Sequence, residues 1–204
     1  MRNSKIFITI FSVSLFTMLL SSCATTPKIT RTAVDEQIDL SGNWNDTDSR
    51  MVSQEMITDC LSRPWLNDFM SAKGNKPRII VGQVMNKSHE HINTETFVKD
   101  MERELINSGR VYFVADKGQR EEVREEKMDQ AENASMETAK DMGQETGADF
   151  MLKGQINTIL DEAGKTQVRY YQTELELINI LTNEKVWIGQ KQIKKEIKRR
   201  KSSF

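Results

Sequence analysis

An α+β fold, with a single mixed, mainly antiparallel sheet flanked by helices, is predicted by three features of this 204-residue chain. Segments with apolar residues three and four apart read as helices. Segments with β-branched runs or strict alternation read as strands. The two kinds follow one another as a helix pair and then β-α-β-α-α-β-β-β, an order that closes in a meander instead of repeating βαβ units.

Each element has its own signal. Asp46, Thr47 and Asp48 offer caps for a helix over Asp48–Ser62, whose stripe is Val52, Met56 and Cys60 with Ile57 and Leu61 alongside. Pro64 suits the first turn of a second, short helix that turns Trp65, Leu66, Phe69 and Met70 inward and stops at Gly74. Arg78–Met85 is apolar on both faces and reads as a central strand. After a loop from Asn86 to Asn93, Thr94 can cap a helix carrying Phe97, Val98, Met101 and Leu105, which Gly109 ends. Val111–Val114 is a second strand. The charged stretch Gln119–Gln130 reads either as a surface helix or as a partly mobile one, and Ser135–Glu145 as a further helix, capped by Ser135 and ended by Gly147. In the closing meander Phe150, Leu152, Ile156 and Leu160 share one face, then Tyr171, Thr173, Leu175 and Leu177. Turns at Glu162–Lys165 and Thr182–Glu184 separate these strands from Val186–Ile193.

The amino terminus has the grammar of export. Arg2 and Lys5 precede an uncharged, mostly apolar run from Ile6 to Leu20. That run is shorter than the roughly 20 residues a membrane-spanning helix needs and suits a signal-peptide core. It closes in Leu20-Ser21-Ser22-Cys23, the pattern of a lipobox, in which the Cys23 thiol takes the lipid. An ordinary signal peptide and a retained anchor are the competing readings. Ala24 stands where inner-membrane retention calls for aspartate, which favours the outer membrane with the domain facing the periplasm. The expected organisation is therefore a signal peptide over 1–22, a flexible tether over 23–46, a domain over 47–194 and a basic tail over 195–204. A tether of that length reaches at most roughly 80 Å when extended.

Composition narrows the chemistry. A net charge of −1 gives no general attraction to nucleic acid. The chain has two cysteines. With Cys23 acylated, Cys60 has no partner for a disulfide, and its place on the apolar stripe suits a buried, inert thiol. The two histidines form His89-Glu90-His91 in one loop, without the third protein ligand that a catalytic zinc needs. There is no serine elbow, phosphate loop or separable carboxylate pair. No metal, cofactor, small-molecule substrate or enzymatic activity is expected. The loop residues Asn86, Ser88, His89, Glu90 and His91 form a candidate partner-contact region, because polar loops can be given over to binding at little cost. The basic run contributes Lys194, Lys195, Lys198, Arg199, Arg200 and Lys201. It reads either as a solvated end that discourages edge pairing or as an electrostatic contact for an anionic partner.

Three longer motifs carry a resemblance. They are Asp39-Leu40-Ser41-Gly42-Asn43-Trp44-Asn45-Asp46-Thr47-Asp48-Ser49-Arg50, the loop Asn86-Lys87-Ser88-His89-Glu90-His91-Ile92 after Ile80-Val81-Gly82, and Gly147-Ala148-Asp149-Phe150-Met151-Leu152-Lys153-Gly154. With the closing Trp187 strand and the lipobox, the mature chain resembles the LpoB-like lipoproteins that activate penicillin-binding proteins. The resemblance implies a fold like the amino-terminal domain of TolB. It also implies a non-enzymatic job at the outer membrane, namely binding a bifunctional penicillin-binding protein and raising its peptidoglycan synthesis. The tether here is short beside the long, proline-rich ones of the best-known members. The rival expectations are a subunit of a curli-type secretion channel, for which the alternating segments are too few, and a structural envelope lipoprotein with another partner. Replacing Cys23 by alanine is expected to yield a periplasmic product that incorporates no labelled palmitate; retention of the variant in the membrane fraction would argue against the lipid anchor.

Overall fold

The structure is a computed structural model and describes residues 29–33, 36–140, 143 and 145–198. The signal segment, Cys23, and Arg199, Arg200 and Lys201 lie outside the described residues. The folded unit begins at Gln37. Its elements are α1 (Asp46–Ser62), α2 (Pro64–Lys73), β1 (Arg78–Lys87), α3 (Thr94–Asn107), β2 (Tyr112–Phe113), α4 (Lys117–Asn133), β3 (Phe150–Ala163), β4 (Thr166–Asn179) and β5 (Lys185–Lys198). The α+β expectation holds: one five-stranded sheet runs in the order β2-β1-β3-β4-β5. β1 is parallel to β2 and to β3, while β3, β4 and β5 form the antiparallel meander.

Alternation on the strands decides where the core sits. Ile79, Val81 and Val84 of β1 and Phe150, Leu152 and Ile156 of β3 are buried. So are Tyr171, Leu175 and Leu177 of β4 and Trp187 of β5. They meet Val52, Met56, Ile57, Cys60 and Leu61 of α1, Trp65 and Leu66 of α2, and Phe97, Met101 and Leu105 of α3. Burying one such side chain fully stabilises the fold by about 1.5–3 kcal/mol, so this layer carries most of the fold's stability. The opposite face of the meander is polar: Gln155 donates to Glu174 (2.8 Å), and Gln172 is hydrogen-bonded beside it. On the inner face Gly189 leaves room for a ring, since a Cβ there would stand 2.1 Å from Trp187 Cζ2. The indole nitrogen of Trp187 in turn donates to Asp59 of α1 (2.8 Å).

The local chemistry of the caps differs from the expected pattern by one or two residues. α1 is capped by Asn45, which accepts from Asp48 N while the Asp48 carboxylate accepts from Asn45 N, a reciprocal capping box. α3 is capped by Asn93, with Thr94 its first residue. α2 ends at Gly74 as expected, in the left-handed conformation (φ 71°).

Four expectations are corrected. No helix occurs among the described residues of Ser135–Glu145: a single turn follows Ser135, and Met136 is fully exposed. A helix that short is marginal in water without an apolar face to dock. α4 does form, longer than expected, although it buries nothing; a capping box at Asp116 and Gln119 starts it. Met70 and Leu160, expected inside, are 40% and 43% exposed. Finally, the two terminal boundaries move. Residues 37–45, assigned to the tether, pack on the domain, and β5 runs to Lys198, so the first four residues assigned to a tail belong to the sheet.

Cys60 is buried, and desolvation together with the neighbouring Asp59 carboxylate pushes its thiol up to about 12. Because only the thiolate is reactive, Cys60 should resist alkylation at neutral pH in the folded domain and react on denaturation. Labelling of the native protein at the unfolded rate would contradict this packing.

Candidate functional site

The loop after β1 is built by short hydrogen-bonded turns. Asn86 Oδ1 accepts from Ser88 N (2.9 Å) and its amide donates to Glu90 O (2.8 Å), to which Ser88 Oγ also donates (2.9 Å). The loop is fixed to the sheet through His89: its backbone N–H donates to Thr158 Oγ1 (3.1 Å) and its Nδ1 lies 2.9 Å from the same oxygen. Both contacts are satisfied when the threonine hydroxyl donates to Nδ1. His91 is exposed. Of the five loop residues singled out, Asn86, Ser88, His89 and Glu90 thus have internal partners, while His91 faces outward.

Glu90 points inward. Its Oε2 accepts from the backbone N–H of Trp44 (3.1 Å), its Oε1 is hydrogen-bonded by the Tyr171 hydroxyl, and Arg169 is 3.8 Å away. The Tyr171 hydroxyl also faces the Gly42 carbonyl (3.1 Å), so one proton serves two acceptors. Burial and then the adjacent Glu90 carboxylate push the Tyr171 phenol well above its ordinary range. The Trp44 ring packs edge-on against Phe97 (6.1 Å between centroids) and Tyr171 (5.6 Å), and its Nε1 donates to Ser49 (2.7 Å).

A second centre lies beside it, at Lys195. Its ammonium donates to Asp48 Oδ2 (2.6 Å), Asp39 Oδ1 (2.9 Å) and the Asn43 carbonyl (3.1 Å). Burial opposes the lysine's charge, but the bonds to Asp48 and Asp39 outweigh it and hold the lysine above its usual value. The hydrogen bond from Lys195 holds Asp39 below the carboxylate range. For the more deeply buried Asp48, desolvation wins and the carboxyl is raised. Gly42 is required at this crossing: it has φ +72°, and a Cβ there would fall 2.5 Å from Ile197 Cδ1. Lys194 and Lys198 are exposed on β5, the latter paired with Glu196 (3.2 Å). Between residues 37–42 and the end of β5 lies an open cleft of about 520 Å³, with Met51, Ile193 and Ile197 in its wall.

The sequence reading found the loop and the basic strand but missed Trp44, Tyr171, Arg169, Asp39 and Asp48. One local signal did exist. Trp44 immediately precedes an Asn-x-x-Asp cap, the position from which a side chain can staple onto the fourth helical residue; here that residue is Ser49. No group of three or more His, Cys, Asp or Glu side chains able to hold a metal ion occurs among the described residues. No helix among them is long and apolar enough to cross a membrane.

A family model matches residues 48–193, and it is that of an activator of a peptidoglycan synthase. The chain belongs to that family, the peptidoglycan-synthase activator LpoB, as the motifs around Trp44, His89 and Phe150 implied. No curated protein matches the chain. Among solved structures it is similar to the LpoB C-terminal domain from Salmonella enterica, at 16% identity over 72% of this chain and 98% of that one, with a TM-score of 0.41. The LpoB C-terminal domain from Escherichia coli matches at 15% identity over the same shares, with a TM-score of 0.39. Lipoprotein GNA1162 from Neisseria meningitidis matches at 17% identity over 62% and 88%, with a TM-score of 0.38. The secretion-channel alternative is not favoured by the family match.

Replacing Lys195 by methionine leaves Asp48 buried beside no cation, which should cost about 3 kcal/mol at pH 7. The sign with pH follows from Asp48. Its folded pKa is raised, so the native state takes up a proton more readily than the unfolded chain, and the variant's deficit should shrink as pH falls towards the ordinary carboxylate range. Urea denaturation of both proteins at pH 7 and pH 4 measures this. An equal difference at both values would show that Asp48 is not the group responsible.

Proposed function

We propose that this protein is an outer-membrane lipoprotein, anchored through Cys23 and facing the periplasm, that binds a bifunctional penicillin-binding protein and raises its synthesis of peptidoglycan without catalysing a reaction itself. The observation that carries this reading is the family match across residues 48–193, a span that includes the core, the docked loop and most of β5. The geometry supports a role by contact. The loop's buried polar groups are matched to one another, so its outer surface is held in one shape and little ordering entropy is lost when a partner binds.

Activation by binding has a definite energetic requirement. The lipoprotein must bind the active conformation of the synthase more tightly than the inactive one, by a factor equal to the shift it produces. Candidate contacts are His91 on the loop and the basic side chains Lys194 and Lys198 on β5, continuing in sequence into Arg199, Arg200 and Lys201. Charged rim residues of this kind act mainly on association rate and partner choice.

The test is reconstitution. The mature chain without its acyl groups should bind a class A synthase of the same organism and accelerate its polymerisation of lipid II. Absence of binding together with an unchanged rate would remove the reading.

A further inference from the structure

The face of the sheet opposite the core has a chemistry that the fold does not require. α1, α2 and α3 all pack on the other side, and α4 buries nothing. On the open face the register of β3, β4 and β5 lines up three rows: Gln155, Glu174 and Gln190, then Asn157, Gln172 and Gln192, then Ile159, Tyr170 and Lys194. The first two rows hold five carboxamides and one carboxylate. A face that only had to be soluble would carry interspersed charges of both signs, and asparagine and glutamate are not favoured in strands.

Part of this face is wired in place. The Tyr170 hydroxyl donates to Gln172 Oε1 (3.2 Å), Gln172 Nε2 donates to Glu174 Oε1, and Gln155 Nε2 donates to Glu174 Oε2 (2.8 Å). The bonds from Gln155 and then Gln172 hold Glu174 below the usual carboxylate range, so it stays an ionised acceptor. Each fixed amide still has a second N–H, and Gln155 also has its carbonyl oxygen to offer. The side chains of Asn157, Gln190 and Gln192 have no partner among the described residues. Donors and acceptors thus stand side by side, some already oriented, with their remaining capacity turned to solvent.

The rows have a hollow at one end and an apolar border at the other. The hollow is an open depression of about 180 Å³, walled by Met85, Lys153, Gln155, Glu174 and Glu176. Met85 is partly exposed there, and Glu176 is paired with Lys185 (2.8 Å). At the opposite border Tyr170 lies beside the exposed Ile159. From Lys153 to Ile159 the strand advances about 20 Å, so the track is long and narrow, the length of a short oligosaccharide. The carboxylates Glu174 and Glu176 are interspersed with Lys87, Lys153 and Lys185, so neither sign of charge dominates it.

We infer that this open face binds a neutral glycan strand bearing hydroxyl and acetamido groups, laid along β3, β4 and β5 from the hollow at Met85 to Tyr170. The match is one of bonding type. Hydroxyl and acetamido groups both donate and accept, as carboxamides do, so each amide of the two rows can engage a sugar with both of its ends. The C–H surface of a sugar ring is apolar and suits Met85 at one end and the Tyr170 ring at the other. Groups already held by their neighbours lose little freedom when the ligand arrives. The inference stands on the chemistry of this face, apart from the reading of the protein as a synthase activator.

The experiment titrates the mature chain, without acyl groups and with no synthase present, with the β-1,4-linked hexamer of N-acetylglucosamine, and follows the heat of binding. Saturable binding is expected. Gln172→Ala and Gln192→Ala should each weaken it about fivefold, the loss of one hydrogen bond between neutral groups, while the urea midpoint of the exposed Gln192→Ala variant stays where it was. Gln54→Ala, an exposed amide on α1, should bind as the wild type does. No heat with the hexamer overturns the inference and leaves the activator reading untouched. Equal affinity for the de-N-acetylated hexamer overturns it too, since the amides would then not be reading acetamido groups. If the wild type binds and both row variants bind equally well, the sugar sits elsewhere. If sedimentation shows a dimer that Gln192→Ala dissociates, a second copy covers the face and the glycan does not.

Discussion

A charged side chain taken out of water must be met by partners, and at Glu90 and Lys195 the Trp44 amide, Asp39 and the Asn43 carbonyl supply part of them from the segment that precedes the first helix. The Trp44 amide and the Tyr171 hydroxyl meet the Glu90 carboxylate, while the Lys195 ammonium is met by Asp39, Asp48 and the Asn43 carbonyl. Removing the segment would leave two charges poorly matched and would uncover the edges of Phe97 and Tyr171. Neither centre has to be strongly stabilising in itself, because desolvation offsets much of the Coulomb attraction. What they supply is uniqueness of position: the entering chain, the loop after β1, the start of α1 and the end of β5 fit together in one arrangement.

That dependence explains why the sheet is complete only with its leader. α1 and α3 cover the inner face of β1, β3 and the first half of the meander, but β4 and β5 run beyond them. Tyr171 is fully buried because Trp44 lies against it, and Ile193 is partly buried beside the same crossing. Lys191 and Lys195 alternate with Ile193 and Ile197 on the inner face of β5, and each lysine reaches an acid of α1, Glu55 or Asp48, with Asp39 as a second partner for Lys195.

The strands and the long helices were legible because their signals are local and strongly periodic: Val52-Met56-Cys60, Phe97-Met101-Leu105 and the alternation through Tyr171 to Leu177 survive without tertiary information. The start of the helix expected from Ser135 was misread because its few apolar residues mimic a helix, and whether a short helix forms is decided by what it can dock against. The site was half legible. Glu90 was visible as a polar residue in a loop, yet the same composition suits an outward contact and an inward latch, and only the position of Tyr171, 81 residues further along the chain, decides between them. Likewise a run of lysines reads as a solvated end until Asp39 and Asp48 are placed beside one of them. Pairings across such separations leave no mark in the spacing of a single sequence.

The docked segment has a consequence for range. If Cys23 bears the lipid, the leash between membrane and domain is not the stretch up to the first helix but only the stretch up to Gln37, at most roughly 50 Å when fully drawn out. Each residue fastened by Lys195 or Trp44 shortens that leash, so with such an anchor the strength of the fastening would set how far from the membrane the domain can reach.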